Sequence, residues 1–167
     1  TSYVFEPSFL NLNLIQNNLI LNNLEKKVKI IPNAVYSQQG VSTLFQLRRV
    51  AGDAVTTFRD NKVFKSMLRV SNKKNSPSTN QILGLSIDEL VSDKIIEKPN
   101  LIKIDVDGNE IEVLKGSEKT LKSKRKITIL VEIRKSNYNL VSNFLKKKGF
   151  KIVSSERDNY IWENNFN

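Results

Sequence analysis

Several charged side chains of this chain stand where apolar strands end, the place from which a side chain can meet a ligand. The stretch Ile102-Lys103-Ile104-Asp105-Val106-Asp107-Gly108-Asn109-Glu110 runs from an apolar strand into two carboxylates and a glycine, then into a helix that reaches Leu114-Lys115-Gly116. In an open α/β sheet, ligands bind in the crevice outside the carboxyl ends of the strands. Asp105 and Asp107 are therefore expected beside a cofactor or substrate. They have three readings: a metal pair, a pair that anchors a bound cofactor, or a helix cap next to a buried partner. A calcium loop is excluded, because it needs glycine at its sixth position, where this chain has Glu110. Asp107 and Glu110 have the spacing of a capping box, with Asp in place of Ser or Thr. A cap at Asp107 is compatible with a functional Asp105.

Lys103 lies two residues before Asp105 and so on the same strand face. An isolated cation in an apolar strand must snorkel, pair or act, and pairing with a nearby carboxylate is the expectation. Glu132 is comparable, near the end of an apolar strand from Ile127 to Ile133. It would meet a substrate, or pair with Lys103 or Arg134. Glu6 ends another strand and precedes Pro7, which cannot continue a ladder. An acid at that point in a nucleotide-binding sheet accepts hydrogen bonds from ribose hydroxyls; the structural alternative is an acid favoured by a helix N-terminus.

The elements that must position these residues are legible in outline. Tyr3 to Glu6 reads as a buried strand, and Pro7-Ser8 opens a helix to about Asn23 with Leu12, Ile15 and Leu19 at helical spacing. Val28 to Ile31 is a short strand ending at Pro32, after which Asn33-Ala34-Val35 leaves the sheet edge. Between residues 39 and 80 the pattern changes to short strands, Val41 to Leu47, Ala54 to Phe58 and Met67 to Val70, followed by a polar loop from Asn72 to Asn80. This block reads as an insertion where substrate-binding elements could sit. Gly84 to Ile87 is a strand leading to a short helix, and Leu101 to Asp105 a central strand. One helix then spans about Asn109 to Lys122, with Ile111, Leu114 and Leu121 on one face. The strand from Ile127 to Ile133 is apolar enough to be buried on both faces. A helix from Ser136 or Asn137 to Lys148 closes at Gly149, and Phe150 to Ser154 and Tyr160 to Trp162 are the last strands. The alternation is that of a doubly wound α/β fold.

Composition narrows the chemistry. With 167 residues, 39% of them apolar, this is one domain's worth of globular chain. The chain has no Cys and no His, which removes disulfides, thiol nucleophiles and the usual general base. No apolar run approaches the ~18–20 residues that span a bilayer. The net charge of +10 would suit nucleic acid or an anionic membrane. Its lysines, however, are dispersed or sit at helix C-terminal ends, where cations complement the dipole. A solvated basic surface is the expectation, with no nucleic-acid partner.

The run from Lys103 to Gly116 resembles the signature of the FkbM family of S-adenosylmethionine-dependent methyltransferases, a strand ending I-K-I-D-V-[DE]-G-x-E before a helix ending L-K-G. Phe5-Glu6-Pro7, Ser86-Ile87-Asp88-Glu89-Leu90 and Leu130 to Ile133 resemble further family segments in family order. The resemblance implies a Rossmann-like class I methyltransferase fold: a doubly wound, mostly parallel sheet whose last strand runs antiparallel. It also implies that the first strand and its glycine-rich loop lie upstream of Thr1. Residues 1–167 would then be a single partial methyltransferase domain, with residues 39–80 inserted between the third and fourth main strands. S-adenosylmethionine is the implied cofactor, bordered by Glu6, Asn33, Ala34 and Asp105. Asp105 would accept from the cofactor's ammonium group, or bind a divalent cation that holds a substrate hydroxyl. Asn33 would read the adenine edge, where Ala34 leaves room. Asp105 and Glu132, with Lys103 as a lesser candidate, would carry the chemistry, with no metal site assigned. The implied reaction is methyl transfer to a hydroxyl of a small molecule or sugar, by a cytoplasmic enzyme. A nicotinamide-dependent Rossmann protein and a non-catalytic methyltransferase-like binding domain are the alternatives.

Overall fold

The computed structural model describes residues 1–47, 51–52, 56–59, 65, 78–122 and 124–165. The chain divides into two compact units, Thr1–Val35 with Gln39–Leu85 and Tyr36–Gln38 with Ser86–Asn167.

In the first unit, strand β1 (Ser2–Phe5), helix α1 (Phe9–Leu21) and strand β2 (Val28–Ile31) form a strand–helix–strand crossover. The two strands pair in parallel, Ser2 opposite Val28 and Phe5 opposite Ile31. A parallel pair needs such a crossover, because a tight turn can only return the chain antiparallel. The expected helical stripe is present, since Leu12, Ile15 and Leu19 are half-buried along a helix whose other residues are largely exposed. None of its residues is fully buried.

The second sheet of this unit is ordered β3-β6-β4-β5, from β3 (Ala34–Val35), β4 (Gly40–Gln46), β5 (Thr56–Phe58) and β6 (Ser78–Leu85). Two expectations are corrected here. Ala34-Val35 does not leave the sheet edge but pairs in parallel with Gly84-Leu85. Ser78 to Asn80 belong not to a loop but to β6, antiparallel to β4 from Gln46 opposite Ser78 to Gly40 opposite Gly84. Polar residues are accommodated because the ladder is continued by side chains. The Gln46 amide donates to Ser8 Oγ at 2.9 Å and accepts from Asn80 at 3.2 Å. Leu44 and Phe58 form the buried centre, and Gly84 leaves room for the Phe58 ring, which a Cβ would meet at 2.7 Å. The expected strand from Met67 to Val70 lies outside the described residues.

The second unit is built on a sheet ordered β7-β8-β10-β9: β7 (Leu101–Ile104), β8 (Thr128–Glu132), β9 (Phe150–Glu156) and β10 (Asn159–Asn164). β7 and β8 are parallel, whereas β10 runs antiparallel to both β8 and β9. The last strand is therefore antiparallel, as expected. Across the described residues, however, the strands form mixed sheets rather than one mostly parallel sheet. The antiparallel β9–β10 pair has a local reason: Arg157-Asp158 is a two-residue connection with Arg157 at φ 54°, and a connection that short joins only antiparallel strands. The departure from a mostly parallel sheet lies in β4, antiparallel to both β5 and β6.

On β8 and its two flanking residues, Ile127, Ile129, Val131 and Ile133 are completely buried, whereas Thr128 and Leu130 are half-buried and Glu132 is exposed. The strand thus buries one face fully, not both. Trp162, Phe150, Leu114, Leu121, Val141 and Leu145 complete the core.

The helix expected from Asn109 to Lys122 is two helices, α3 (Glu110–Lys115) and α4 (Glu118–Leu121). The break has a visible cause. Gly116 lies so close to the Tyr36 carbonyl that a Cβ would sit 2.1 Å from its oxygen. The Asp88 backbone N–H donates to the Gly116 carbonyl at 2.8 Å, while its carboxylate accepts from Lys119 N–H at 2.8 Å and Thr120 N–H at 2.7 Å. Asp88 itself belongs to helix α2 (Ile87–Ser92), which opens with a capping box between Ser86 and Glu89. Helix α5 (Tyr138–Lys147) ends before Gly149, which takes φ 82° as a helix-terminating glycine does. No helix among the described residues is long and apolar enough to cross a membrane.

Candidate functional site

Parallel pairing brings the carboxyl ends of β7 and β8 to one edge, with Ile104 opposite Val131. Asp105 follows Ile104 directly, and Glu132 follows Val131. Two carboxylates from strands 27 positions apart in sequence thus leave the sheet side by side. Both residues are exposed. The Lys103 ammonium donates to Asp105 Oδ2 at 2.6 Å, with the two side chains 60% and 52% exposed. This is the pairing the alternation of the strand predicts. At that exposure an ion pair orients Asp105 more than it stabilises the fold. Glu132 has no ion pair among the described residues, so neither Lys103 nor Arg134 takes it as partner.

Arg134 is instead paired with Asp107. The residue preceding α3 is Asn109, whose side chain makes no capping bond. The turn between β7 and α3 is held by further bonds. Gly108 takes φ 89°, a conformation that favours glycine, and its N–H donates to the Val106 carbonyl at 2.9 Å and to Glu110 Oε1 at 3.0 Å. Glu110 is only 1% exposed, and its second oxygen accepts from the Asn137 amide at 2.9 Å. Sequence reasoning missed this pair. Glu110 reads as the partner of Asp107 in a capping box, and nothing in its spacing points to Asn137. Tyr138 and Tyr160 also pack together, their rings tilted at 45° with centroids 5.1 Å apart.

In the other unit, Glu6 sits at the end of β1, half-buried. Its carboxylate accepts from Ser8 N–H at 2.8 Å and from the Asn11 amide at 3.4 Å. The helix-start role weighed for it is therefore real, and a carboxylate with about four lone-pair positions still has capacity for ribose hydroxyls. Asn33 follows β2 and donates its amide to the Leu83 carbonyl at 3.1 Å, which leaves its own carbonyl oxygen as an acceptor. Ala34 is buried in β3. Among the described residues no group of His, Cys, Asp or Glu is arranged to hold a metal ion. A polar groove of about 490 Å³ lined by Asp88, Glu89, Lys115 and Lys119 lies at the C-terminal end of α3, away from the turn that carries Asp105.

Over 53 residues the chain is 42% identical to the Hexuronic acid methyltransferase AglP of Haloferax volcanii, a match covering 32% of this chain and 22% of that protein. Its fold is similar to that of the crystal structure of methyltransferase FkbM from Methylobacillus flagellatus KT, with a TM-score of 0.55 and 16% identity, over 96% of this chain and 35% of that one. The chain thus spans about a third of the solved relative and less than a quarter of the curated one. Residues 1–152 match the methyltransferase FkbM domain, and the chain belongs to that family.

Proposed function

We propose that this chain belongs to an S-adenosylmethionine-dependent methyltransferase that modifies a hydroxyl oxygen of a small molecule or glycan. The observation that carries the reading is the family match over residues 1–152. The geometry that supports it is the pair of exposed carboxylates, Asp105 and Glu132, at the carboxyl ends of adjacent parallel strands. The glycan direction is supported by the relative named as a hexuronic acid methyltransferase.

The residues present fit the cofactor by donor chemistry. Glu6 retains acceptor capacity for two hydroxyls, and Asp105 has one oxygen on Lys103 and one left for a cofactor ammonium group or a substrate hydroxyl. When bound, S-adenosylmethionine supplies a methyl group already activated on a sulfonium. The protein's task is then positioning, exclusion of water and acceptance of a proton. With no His in the chain, a carboxylate is the natural proton acceptor. Glu132 is free of ion pairs among the described residues and suits that role, while Lys103 orients Asp105.

Calorimetric titration of the full natural protein with S-adenosylmethionine tests the reading. Glu6→Ala is expected to weaken binding by about 1–3 kcal/mol, the cost of losing hydrogen bonds to a charged group, beside a loss of about 1 kcal/mol of stability from the helix-start bond. An unchanged dissociation constant would leave Glu6 with its helix-start role alone. Absence of binding by the intact protein would overturn the proposal.

A further inference from the structure

We infer that Glu110 is a positioning residue that locks the turn bearing Asp105 to the loop that follows Glu132, so that the two carboxylates are held as one unit. This rests on the methyltransferase reading for its purpose, but its geometry is independent of any ligand. A carboxylate that is 1% exposed is costly to bury unless its oxygens are matched. Glu110 spends its two oxygens on two different loops: Oε1 accepts from Gly108 N–H in the turn after β7, and Oε2 accepts from the Asn137 amide in the turn after β8. A helix-start acid serving only the dipole would remain exposed and would bond its own first turn.

A second link lies outside the first, where Arg134 pairs with Asp107 across the same gap. The inner link is buried and the outer one has an arginine 55% exposed, so the inner one carries the constraint. Each loop also contains a backbone bond that reports on it. Gly108 N–H reaches the Val106 carbonyl at 2.9 Å, and Asn137 N–H reaches the Arg134 carbonyl at 2.9 Å. The Asn137 N–H does not touch Glu110, so any effect of Glu110 on it must pass through the link.

Amide hydrogen exchange on the full natural protein, read at Gly108, at Asn137 and at the core residue Ile129, tests the inference. Glu110→Ala should raise exchange at both Gly108 and Asn137 by roughly tenfold or more, as expected for losing a hydrogen bond to a charged group, and leave Ile129 nearly unchanged. Glu110→Gln should stay near the natural protein, because its carbonyl still accepts from Gly108 and the Asn137 amide can turn over to accept from the new one. Asn137→Asp should loosen both loops by placing a carboxylate against Glu110. Glu110→Gln combined with Asn137→Asp should restore them, since the new amide donates to the new carboxylate. Equal acceleration at Ile129 would make Glu110 a general stabiliser and overturn the inference. So would loosening at Gly108 without any at Asn137. S-adenosylmethionine affinity, measured on the same variants, bears only on the methyltransferase reading, so the two can fail separately.

Discussion

Helices α1 and α5 each stand beside parallel or mixed strands, yet they keep their apolar side chains in opposite states. In α1, Phe9 is 68% exposed, Ile20 51% and Leu21 77%, and no residue is fully buried. In α5, Val141 and Leu145 are completely buried, and the lysines gather in the last turn, where they complement the dipole. Both sequences contain the apolar side chains of a core helix, leucine and isoleucine in α1 and leucine, valine and phenylalanine in α5. The difference teaches that apolar content becomes stability only where a second layer removes it from water. In the second unit, α5 packs against β9, and Phe150 and Trp162 of the strands are buried as its Val141 and Leu145 are.

The largest expected effect tests that contrast. Trp162→Ala should cost about 3–5 kcal/mol through lost burial and the cavity it leaves, whereas Leu14→Ala in α1 should fall within about 0.5 kcal/mol, as exposed substitutions do. Urea unfolding of the two variants measures both. A loss at Leu14 as large as that at Trp162 would mean that α1 is covered in solution. An intermediate effect is expected at Asp88, which holds α4 by two backbone N–H groups from outside that helix. Asp88→Ala should cost about 1–2 kcal/mol, in the range of a lost helix cap. The loss should appear as faster amide exchange at Lys119 and Thr120, and unchanged exchange there would show that α4 needs no such support.

The smallest effect is a dependence on pH. Glu118 is held below the ordinary glutamate range by hydrogen bonds from Lys148 and Lys122, and Glu163 by hydrogen bonds from Lys126 and Thr128. A carboxylate whose pKa is depressed on folding contributes stability that is present above its unfolded pKa and lost as pH falls through its folded value. The melting temperature should therefore fall as pH drops from about 5 toward 3. The Glu118→Gln and Glu163→Gln double variant should fall less steeply over that window. An identical slope would mean that other carboxylates govern acid sensitivity.

Much of the second unit was legible in the chain because its signals are short-range. Leu101 to Asp105 reads as a strand from four apolar-rich residues. Lys103 and Asp105 must share a face because strand side chains alternate, and the pair is found at 2.6 Å. Gly149 ends α5 as a terminal glycine should. The sequence predicts one helix from Asn109 to Lys122, and the structure interrupts it in its middle. Its apolar period is continuous, and the break at Gly116 comes from Tyr36 and Asp88, neither of which is near it in sequence. The polar residues from Ser78 to Asn80 look like loop for a related reason: their place in β6 is decided by pairing with Gln46, Phe45 and Leu44.

The amino-acid sequence by itself determined where strands end in carboxylates, which face Lys103 shares with Asp105, and which family the motif from Lys103 to Gly116 resembles. Those properties follow from side-chain periodicity and from residue order within a few positions. The tertiary structure alone decided that Arg134 takes Asp107, that Asn137 reaches the buried Glu110, and that Glu132 is left without an ion pair among the described residues. Both contacts join residues 27 positions apart. They exist because β7 and β8 lie parallel and deliver their following turns to the same edge. Local spacing can place a carboxylate at that edge, but only the register between strands determines which side chain it meets there.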